Sequence, residues 1–109
     1  MKIWVDDVRP APDGYVWCTT TNEAKHIITS VMAMYIISHR AYLPSITILD
    51  LDHDAGDMAK YGGDYIEILN WMEKQDYSVA IPIRLHTMNP VGRENMRRII
   101  RKNGWTEVF

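Results

Sequence analysis

The 109-residue sequence predicts a single α/β domain, residues 1–109, with a mostly parallel five-stranded sheet and helices on both faces. Short apolar runs rich in strand formers alternate with longer stretches in which apolar residues recur at helical spacing. The predicted element order is therefore β-β-α-β-α-β-α-β. Three of the apolar runs end abruptly in Asp, His or Thr, and the carboxyl ends of parallel strands are where open α/β sheets bind ligands.

The first half of the chain contains two predicted strands and one helix. Lys2–Val5 is a short apolar run that ends at two aspartates, which is typical of a buried central strand. Residues 8–14 contain two prolines and an Asp-Gly pair, so a loop connects this strand to the second one, Tyr15–Cys18. Thr20 and Glu23 form a capping box that begins the first helix.

The middle of the chain contains the third strand and the second helix. The apolar run that begins at Ile46 predicts a buried strand, and the acidic, Gly-containing stretch up to Asp57 predicts the loop that leaves it. Asp64 is followed three residues later by Glu67, which indicates a second helix start with Asp64 as its cap.

The last third of the chain contains two strands and a helix between them. Ile81–Leu85 predicts the fourth strand, and residues 105–109 predict the fifth. Asn89 followed by Pro90 predicts the start of the third helix, because Asn caps helices and Pro suits their first position. Gly104 predicts its end.

Composition narrows the class of protein. Cys18 is the only cysteine, which excludes an intrachain disulfide and favours a reducing, cytoplasmic location. No apolar run approaches the roughly 20 residues that a membrane span needs. The net charge of −2 argues against general nucleic-acid coating. Residues 1–88 hold seven Lys and Arg against twelve Asp and Glu, whereas residues 89–109 hold five against two, so a phosphate with a divalent metal would suit both regions.

Polar side chains from three strand ends are expected around one crevice, because a doubly wound sheet brings these ends together at its switch point. They are Asp6, Asp7, Asp50, Asp52, His53, His86 and Thr87. The carboxylates Asp6, Asp7 and one or both of Asp50 and Asp52 are predicted to hold Mg²⁺ or Mn²⁺ through oxygen ligands. The alternative for them is a set of solvated loop carboxylates.

Two histidines are candidates for acid–base chemistry together with Asp52. His53 and His86 follow neighbouring strands, and imidazole titrates near neutral pH, so they are predicted to act as general base and general acid. Alternatively, both could ligate a transition metal such as Zn²⁺ with Asp52 or Asp54, or be structural.

Phosphate binding is predicted from two arginines and the start of the third helix. Arg9 and Arg93 are candidates for a planar clamp on phosphate oxygens. Asn89 and Gly92 lie where the helix offers free amide groups, and Thr87 directly precedes them. Helix capping alone is an equally good account of Asn89.

The assembled motifs resemble those of response-regulator receiver domains: an acidic pair after the first strand, an Asp at the end of the third, and a Thr after the fourth. Three features differ: the first helix is replaced by a loop, no Lys follows the fifth strand, and the usual acceptor loop is replaced by Asp52-His-Asp-Ala-Gly56. The chain is more similar to the cyclic-phosphate-processing receiver-like domains (cREC). The motifs that carry this resemblance are Asp6-Asp-Val-Arg-Pro10, Leu49-Asp-Leu-Asp-His-Asp-Ala-Gly56, and His86-Thr-Met-Asn-Pro-Val-Gly-Arg93 with Met96.

The resemblance implies a receiver-like, flavodoxin-like fold and a role on cyclic phosphates. The hypothesis ranked first is a metal-assisted phosphodiesterase that hydrolyses a cyclic nucleotide or a 2′,3′-cyclic RNA end. The alternatives are a cyclic-nucleotide binder without turnover and a signalling module with Asp50 as phosphoacceptor. A haloacid-dehalogenase-like phosphatase fits poorly, because the downstream motifs of that class are missing.

Overall fold

The computed structural model describes residues 1–38, 46–75 and 81–109. Five strands form one parallel sheet in the order β2-β1-β3-β4-β5. The strands are β1 Lys2–Val5, β2 Tyr15–Cys18, β3 Ile48–Leu51, β4 Ile83–Leu85 and β5 Glu107–Val108. The predicted five-stranded, receiver-like α/β fold is thereby confirmed, and every strand pair is parallel.

Three α-helices and one short 3₁₀-helix connect the strands of the described chain. They are α1 Thr21–Ser38, the 3₁₀-helix Gly56–Tyr61, α2 Ile66–Lys74 and α3 Pro90–Lys102. Thr20 caps α1, since its hydroxyl accepts the amide of Glu23 at 3.0 Å. Asp64 does not cap α2 as predicted, because its carboxylate instead accepts the amide of Ala55 at 2.9 Å.

The prediction of helices on both faces of the sheet is wrong, because all three described α-helices pack on one face. The apolar side chains of all three share one core with Ile3 and Leu49, which are paired on β1 and β3. Arg97 of α3 forms a hydrogen bond with Glu107 of β5. Glu107 is paired with the core residue Ile83 of β4, so α3 contacts the same face of the sheet. The β2–β3, β3–β4 and β4–β5 connections all move in the same direction across the sheet, so right-handed crossovers place their helices on the same side.

The opposite face of the sheet is covered in part by the loop between β1 and β2. The β1–β2 connection moves in the opposite direction across the sheet and would place a helix on this side, but here it is a loop, as the sequence predicts. Trp4, Asp50 and Arg84 lie in one row across β1, β3 and β4 on this face. The indole nitrogen of Trp4 donates to the carbonyl of Arg9 at 2.9 Å, which holds the loop over it.

The carboxyl ends of β1, β3 and β4 lie side by side, and backbone hydrogen bonds continue past the strands. The amide of Asp52 donates to Val5 at 3.0 Å, and the amide of His86 donates to Leu51 at 2.9 Å. The side chains that follow these strands are therefore placed at one edge of the sheet. Within the described residues, no helix combines the length and the apolar character that crossing a membrane requires.

Candidate active site

Three of the predicted carboxylates come together at the ends of β1 and β3. One oxygen each of Asp6, Asp7 and Asp52 lies within 4.8 Å of the others. Burial and the negative charges of Asp6 and Asp52 raise the pKa of Asp7 above its ordinary value. We call Asp6, Asp7 and Asp52 the acidic triad, and its crowded charge favours binding of a cation.

Asp6 is the most extensively hydrogen-bonded member of the acidic triad. Its Oδ1 accepts the amides of Val8 and Arg9, both at 2.9 Å. Its Oδ2 lies 2.8 Å from Nε of Arg9 and 3.0 Å from Nε2 of His86. Burial raises the pKa of Asp6, but these donors outweigh it and lower the pKa below its ordinary value. Asp6 therefore stays ionised, and most of its acceptor capacity is used by the protein itself.

Arg9 connects two members of the acidic triad. Besides its contact with Asp6, its NH2 group lies 3.3 Å from Oδ2 of Asp52. Burial lowers the pKa of Arg9, but the two carboxylates raise it overall. The side chain remains 44% exposed, so the guanidinium holds N–H groups at the surface of the site.

Asp50 lies apart from the acidic triad. It is fully buried, at 0% exposure, and lies within β3 beside Trp4 of β1, two residues before Asp52. Its Oδ1 lies 2.6 Å from Nδ1 of His86, and its Oδ2 accepts NH1 of Arg84 at 3.0 Å. Both oxygens are thus engaged inside the protein, and the structure does not bring Asp50 together with the other predicted metal ligands.

The two predicted catalytic histidines have different surroundings. Both ring nitrogens of His86 face carboxylates, those of Asp50 and Asp6. His53 contacts a single carboxylate: its Nδ1 lies 2.9 Å from Oδ1 of Asp54. Its Nε2 makes no hydrogen bond with the described residues. His53 consequently keeps one ring nitrogen for another partner.

His53 belongs to a second group of possible ligands that the sequence identified only in part. One ligand atom each of His53, Asp54 and Asp64 lies within 4.8 Å of the others. The side-chain Nδ2 of Asn89 donates to Oδ2 of Asp54 at 3.4 Å and connects this group to the start of α3. The sequence offered no signal for Asp64 beyond its position before a helix, where capping was the simpler interpretation.

The residues predicted to bind phosphate near α3 mostly hold the turn between β4 and α3 together. Oδ1 of Asn89 accepts the amide of Gly92 at 3.0 Å, and the hydroxyl oxygen of Thr87 accepts the amide of Asn89 at 3.1 Å. The NH2 group of Arg93 donates to the carbonyl of Thr87, and its buried Nε has no partner among the described residues. Arg9 is therefore the predicted phosphate ligand that the structure places at the acidic triad.

Two tryptophans support the loop that carries Asp6, Asp7 and Arg9. Trp4 binds the carbonyl of Arg9, as described above, and the indole nitrogen of Trp17 donates to the carbonyl of Asp6 at 2.8 Å. These contacts could not be predicted from the sequence, because the pattern of a strand does not reveal which loop folds over it.

Substituting Gly56 by alanine should displace Asp7. Gly56 has φ of +55°, and a Cβ atom there would lie 2.6 Å from Oδ2 of Asp7. Gly14 is a matched control, since it also has positive φ, +86°, but a Cβ there meets nothing within 4 Å. We expect both variants to lose about 1 kcal/mol from backbone strain, and only Gly56→Ala to weaken Mn²⁺ binding, about tenfold or more, in a calorimetric titration. Equal Mn²⁺ affinity in the two variants would contradict this placement of Asp7.

Comparison with known proteins places the chain in a family. The family model of the cyclic-phosphate processing receiver domain matches residues 1–102, which is nearly the whole chain. No curated protein and no solved structure matches the sequence. The matched region contains β1 to β4, all three α-helices, the acidic triad and both histidines. The chain therefore belongs to the cyclic-phosphate processing receiver domain family.

Proposed function

We propose that this domain is a cation-assisted phosphodiesterase that opens a cyclic phosphate, either in a cyclic nucleotide or at a 2′,3′-cyclic RNA end. The observation that carries the proposal is the convergence of Asp6, Asp7 and Asp52 beside the exposed guanidinium of Arg9. A phosphodiester is anionic, and its hydrolysis adds negative charge in the transition state, so a site for it needs positive charge.

The acidic triad fits a hard divalent cation. Its donors are carboxylate oxygens, which Mg²⁺ and Mn²⁺ prefer. No Lys or Arg in the described residues forms an ion pair with Asp7, whose pKa is raised by burial and by its acidic neighbours. We therefore assign Asp7 and Asp52 as the direct ligands, with Asp6 holding Arg9. When bound, the cation would neutralise charge on the phosphoryl oxygens. Zn²⁺ is the alternative at the mixed nitrogen and oxygen donors of His53, Asp54 and Asp64.

The protein's own residues supply the remaining requirements of ring opening. Arg9 donates Nε to Asp6, NH2 to Asp52 and one NH1 proton to the backbone carbonyl of His86, and its remaining N–H groups can bind the phosphate oxygens. Asp54 orients His53 through Nδ1, which leaves Nε2 to take a proton from the attacking water. The same nitrogen can then return that proton to the leaving ribose oxygen as the P–O bond breaks, so one imidazole balances the proton transfer.

Nothing in the geometry favours phosphorylation of Asp50. The phosphoacceptor of a signalling module must be reachable by a phosphodonor, and Asp50 is fully buried with both oxygens hydrogen-bonded. A domain that binds a cyclic nucleotide without turnover would use the same Arg9, so the assay below separates it from the phosphodiesterase.

The proposal is tested by incubating the protein with 2′,3′- and 3′,5′-cyclic nucleotides and an RNA oligonucleotide that ends in a 2′,3′-cyclic phosphate. Each incubation is run with EDTA, Mg²⁺, Mn²⁺ or Zn²⁺, and both product and bound ligand are measured. We expect metal-dependent ring opening, and we expect His53→Ala to reduce kcat by about 10²- to 10⁴-fold. His26→Ala, at an exposed histidine of α1, is the matched control and should leave kcat unchanged.

Three outcomes would count against the proposal. Ligand binding without product in any metal would identify a non-catalytic binder. Full activity in His53→Ala would remove that residue from the acid–base role. Equal rates in EDTA and in Mn²⁺ would show that the acidic triad does not act through a cation.

A further inference from the structure

We propose that the exposed indole of Trp17 binds the base of the substrate by stacking. The domain would then act on cyclic phosphates that carry a nucleobase, in preference to cyclic phosphates without one. This inference rests on the function proposed above, because it names the substrate class of the same site. It is carried by the exposure of Trp17, by the hydrogen bond that orients its ring, and by its position next to Arg9.

Trp17 has no ring partner among the described residues. It is 43% exposed, whereas Trp4, with which it is paired across β1 and β2, is 9% exposed and stacks on His86. No aromatic ring of the described chain stacks on Trp17, and no cation there lies over it. Tryptophan is highly buried on average, because burial of its large apolar ring is favourable. The indole of Trp17 therefore offers apolar area to a ligand.

The orientation of this indole is fixed by its nitrogen. Nε1 of Trp17 donates to the backbone carbonyl of Asp6 at 2.8 Å. This bond uses the only polar group of the side chain and limits rotation of the ring. What remains for a ligand is the aromatic surface, which suits a planar aromatic partner. Because the ring is already held in place, binding to it costs little additional side-chain entropy.

Asp6 places the indole next to the proposed phosphate ligand. Its carbonyl accepts the hydrogen bond from Trp17, and its carboxylate accepts Nε of Arg9 at 2.8 Å. Trp4, which is paired with Trp17, donates to the carbonyl of Arg9, so Trp17 and the loop that carries Arg9 lie on the same face of the sheet. A single residue thus separates the indole from the guanidinium. We infer that the ribose of one nucleotide bridges this separation, with its phosphate at Arg9 and its base at Trp17.

Stacking on an indole selects a chemical class of substrate rather than one particular base. Every nucleobase has a π face, so stacking of this kind tolerates different bases. A nucleoside cyclic phosphate would contact both Arg9 and Trp17, whereas a cyclic phosphate of glycerol would contact Arg9 alone. The nucleoside compound is therefore expected to bind more tightly, whether it is a free nucleotide or the end of an RNA chain.

The test compares 2′,3′-cyclic AMP with glycerol 1,2-cyclic phosphate, which has the same five-membered phosphate ring and no base. Trp17→Leu should raise Kd for 2′,3′-cyclic AMP about 5- to 100-fold, the range expected for loss of one base–aromatic stack. Its Kd for glycerol 1,2-cyclic phosphate should not change. Trp17→Phe keeps an aromatic ring but loses the N–H group, and it should retain most of the affinity for 2′,3′-cyclic AMP. If turnover occurs, the effect of Trp17→Leu should appear in KM rather than in kcat.

Phe109→Leu is the matched control. Phe109 is an exposed aromatic residue, at 88%, and it follows β5 at the opposite edge of the sheet from β2. This variant should bind both ligands as the wild type does. Tryptophan fluorescence gives a readout independent of turnover, because 2′,3′-cyclic AMP should quench the wild type more strongly than it quenches Trp17→Phe.

Three results would overturn the proposal. An equal loss of affinity for both ligands in Trp17→Leu, or a loss in Trp17→Phe as large as in Trp17→Leu, would assign Trp17 to holding Asp6 through its N–H group. Equal affinity of the wild type for the two ligands would show that the base is not bound, and this comparison requires no variant.

Failure of this inference is distinguishable from failure of the proposed function. If the wild type binds and opens both ligands equally well, the proposed function stands and only the role of Trp17 is wrong. If neither ligand binds or reacts, both proposals are wrong.

Discussion

Asp7→Asn should raise the thermal stability of the metal-free protein and abolish its stabilisation by divalent cations. Burial and the charges of Asp6 and Asp52 raise the pKa of Asp7, so the ionised side chain destabilises the folded state at neutral pH. The neutral amide removes that repulsion. It also removes a ligand, so excess Mg²⁺ or Mn²⁺ should stabilise only the wild type, by about 2.7 kcal/mol at 100 times Kd.

The pH dependence of this contribution has a definite sign. Because the folded-state pKa of Asp7 lies above its ordinary value of 3.8, the folded protein holds the proton more tightly than the unfolded chain. The contribution of Asp7 to stability is therefore present below the ordinary value and is lost as pH rises through the raised pKa. The Asp7→Asn variant should not show this loss of stability over the same pH range. The lowered pKa of Asp6 acts oppositely, since its stabilisation is lost as pH falls.

Thermal unfolding with and without Mn²⁺, over a range of pH, checks these expectations. Asp13→Asn is the matched control, because Asp13 is an exposed aspartate of the same loop. It should change neither the midpoint nor the response to Mn²⁺. An Asp7→Asn variant that is less stable than the wild type without metal, or that Mn²⁺ still stabilises, would refute the assignment of Asp7.

Asp50→Ala should be the most destabilising of the substitutions at the strand ends. It removes the acceptor of His86 Nδ1 and the partner of Arg84 from a fully buried position. We expect a loss of about 1–3 kcal/mol, because the buried Nδ1 of His86 is left without its hydrogen-bond partner. Urea unfolding followed by circular dichroism measures this loss.

Arg84→Gln is the matched control for Asp50→Ala. The Arg84 side chain is about half exposed, and Asp50 keeps His86 when Arg84 is changed. We expect a cost of about 1 kcal/mol or less, as for other pairs with a solvated partner. If Asp50→Ala costs no more than Arg84→Gln, the buried contact between Asp50 and His86 does not stabilise the folded protein.

The convergence of Asp6, Asp7 and Asp52 could be predicted from the sequence, because adjacent parallel strands place the residues that follow them at one edge. The separation of Asp50 could not. Alternation along β3 places Asp50 and Asp52 on the same side, but two residues span about 6.6 Å along a strand, so Asp50 lies one row deeper. Whether that row is covered depends on Trp4 and His86, which come from other strands.

The surroundings of the two histidines could likewise be predicted only in part from the sequence. His53 and Asp54 are neighbours in the chain, and their contact is local. His86 lies between carboxylates that are 80 and 36 positions away, and no local pattern distinguishes such a residue from one that faces substrate. Its stacking on Trp4 likewise exists only once β1, β3 and β4 are assembled.

The sequence by itself determined the order of the elements, the parallel sheet, the caps at Thr20 and Asn89, and the loop in place of the first helix. These follow from apolar periodicity, capping chemistry and proline, which act between residues close in the chain. The tertiary structure decided that the described α-helices pack on one face of the sheet and that Asp64 accepts the amide of Ala55 instead of capping α2. It also decided that His86 lies between Asp50 and Asp6. Each of these depends on the handedness of crossovers or on contacts between distant residues, which become definite only when the strands pack together.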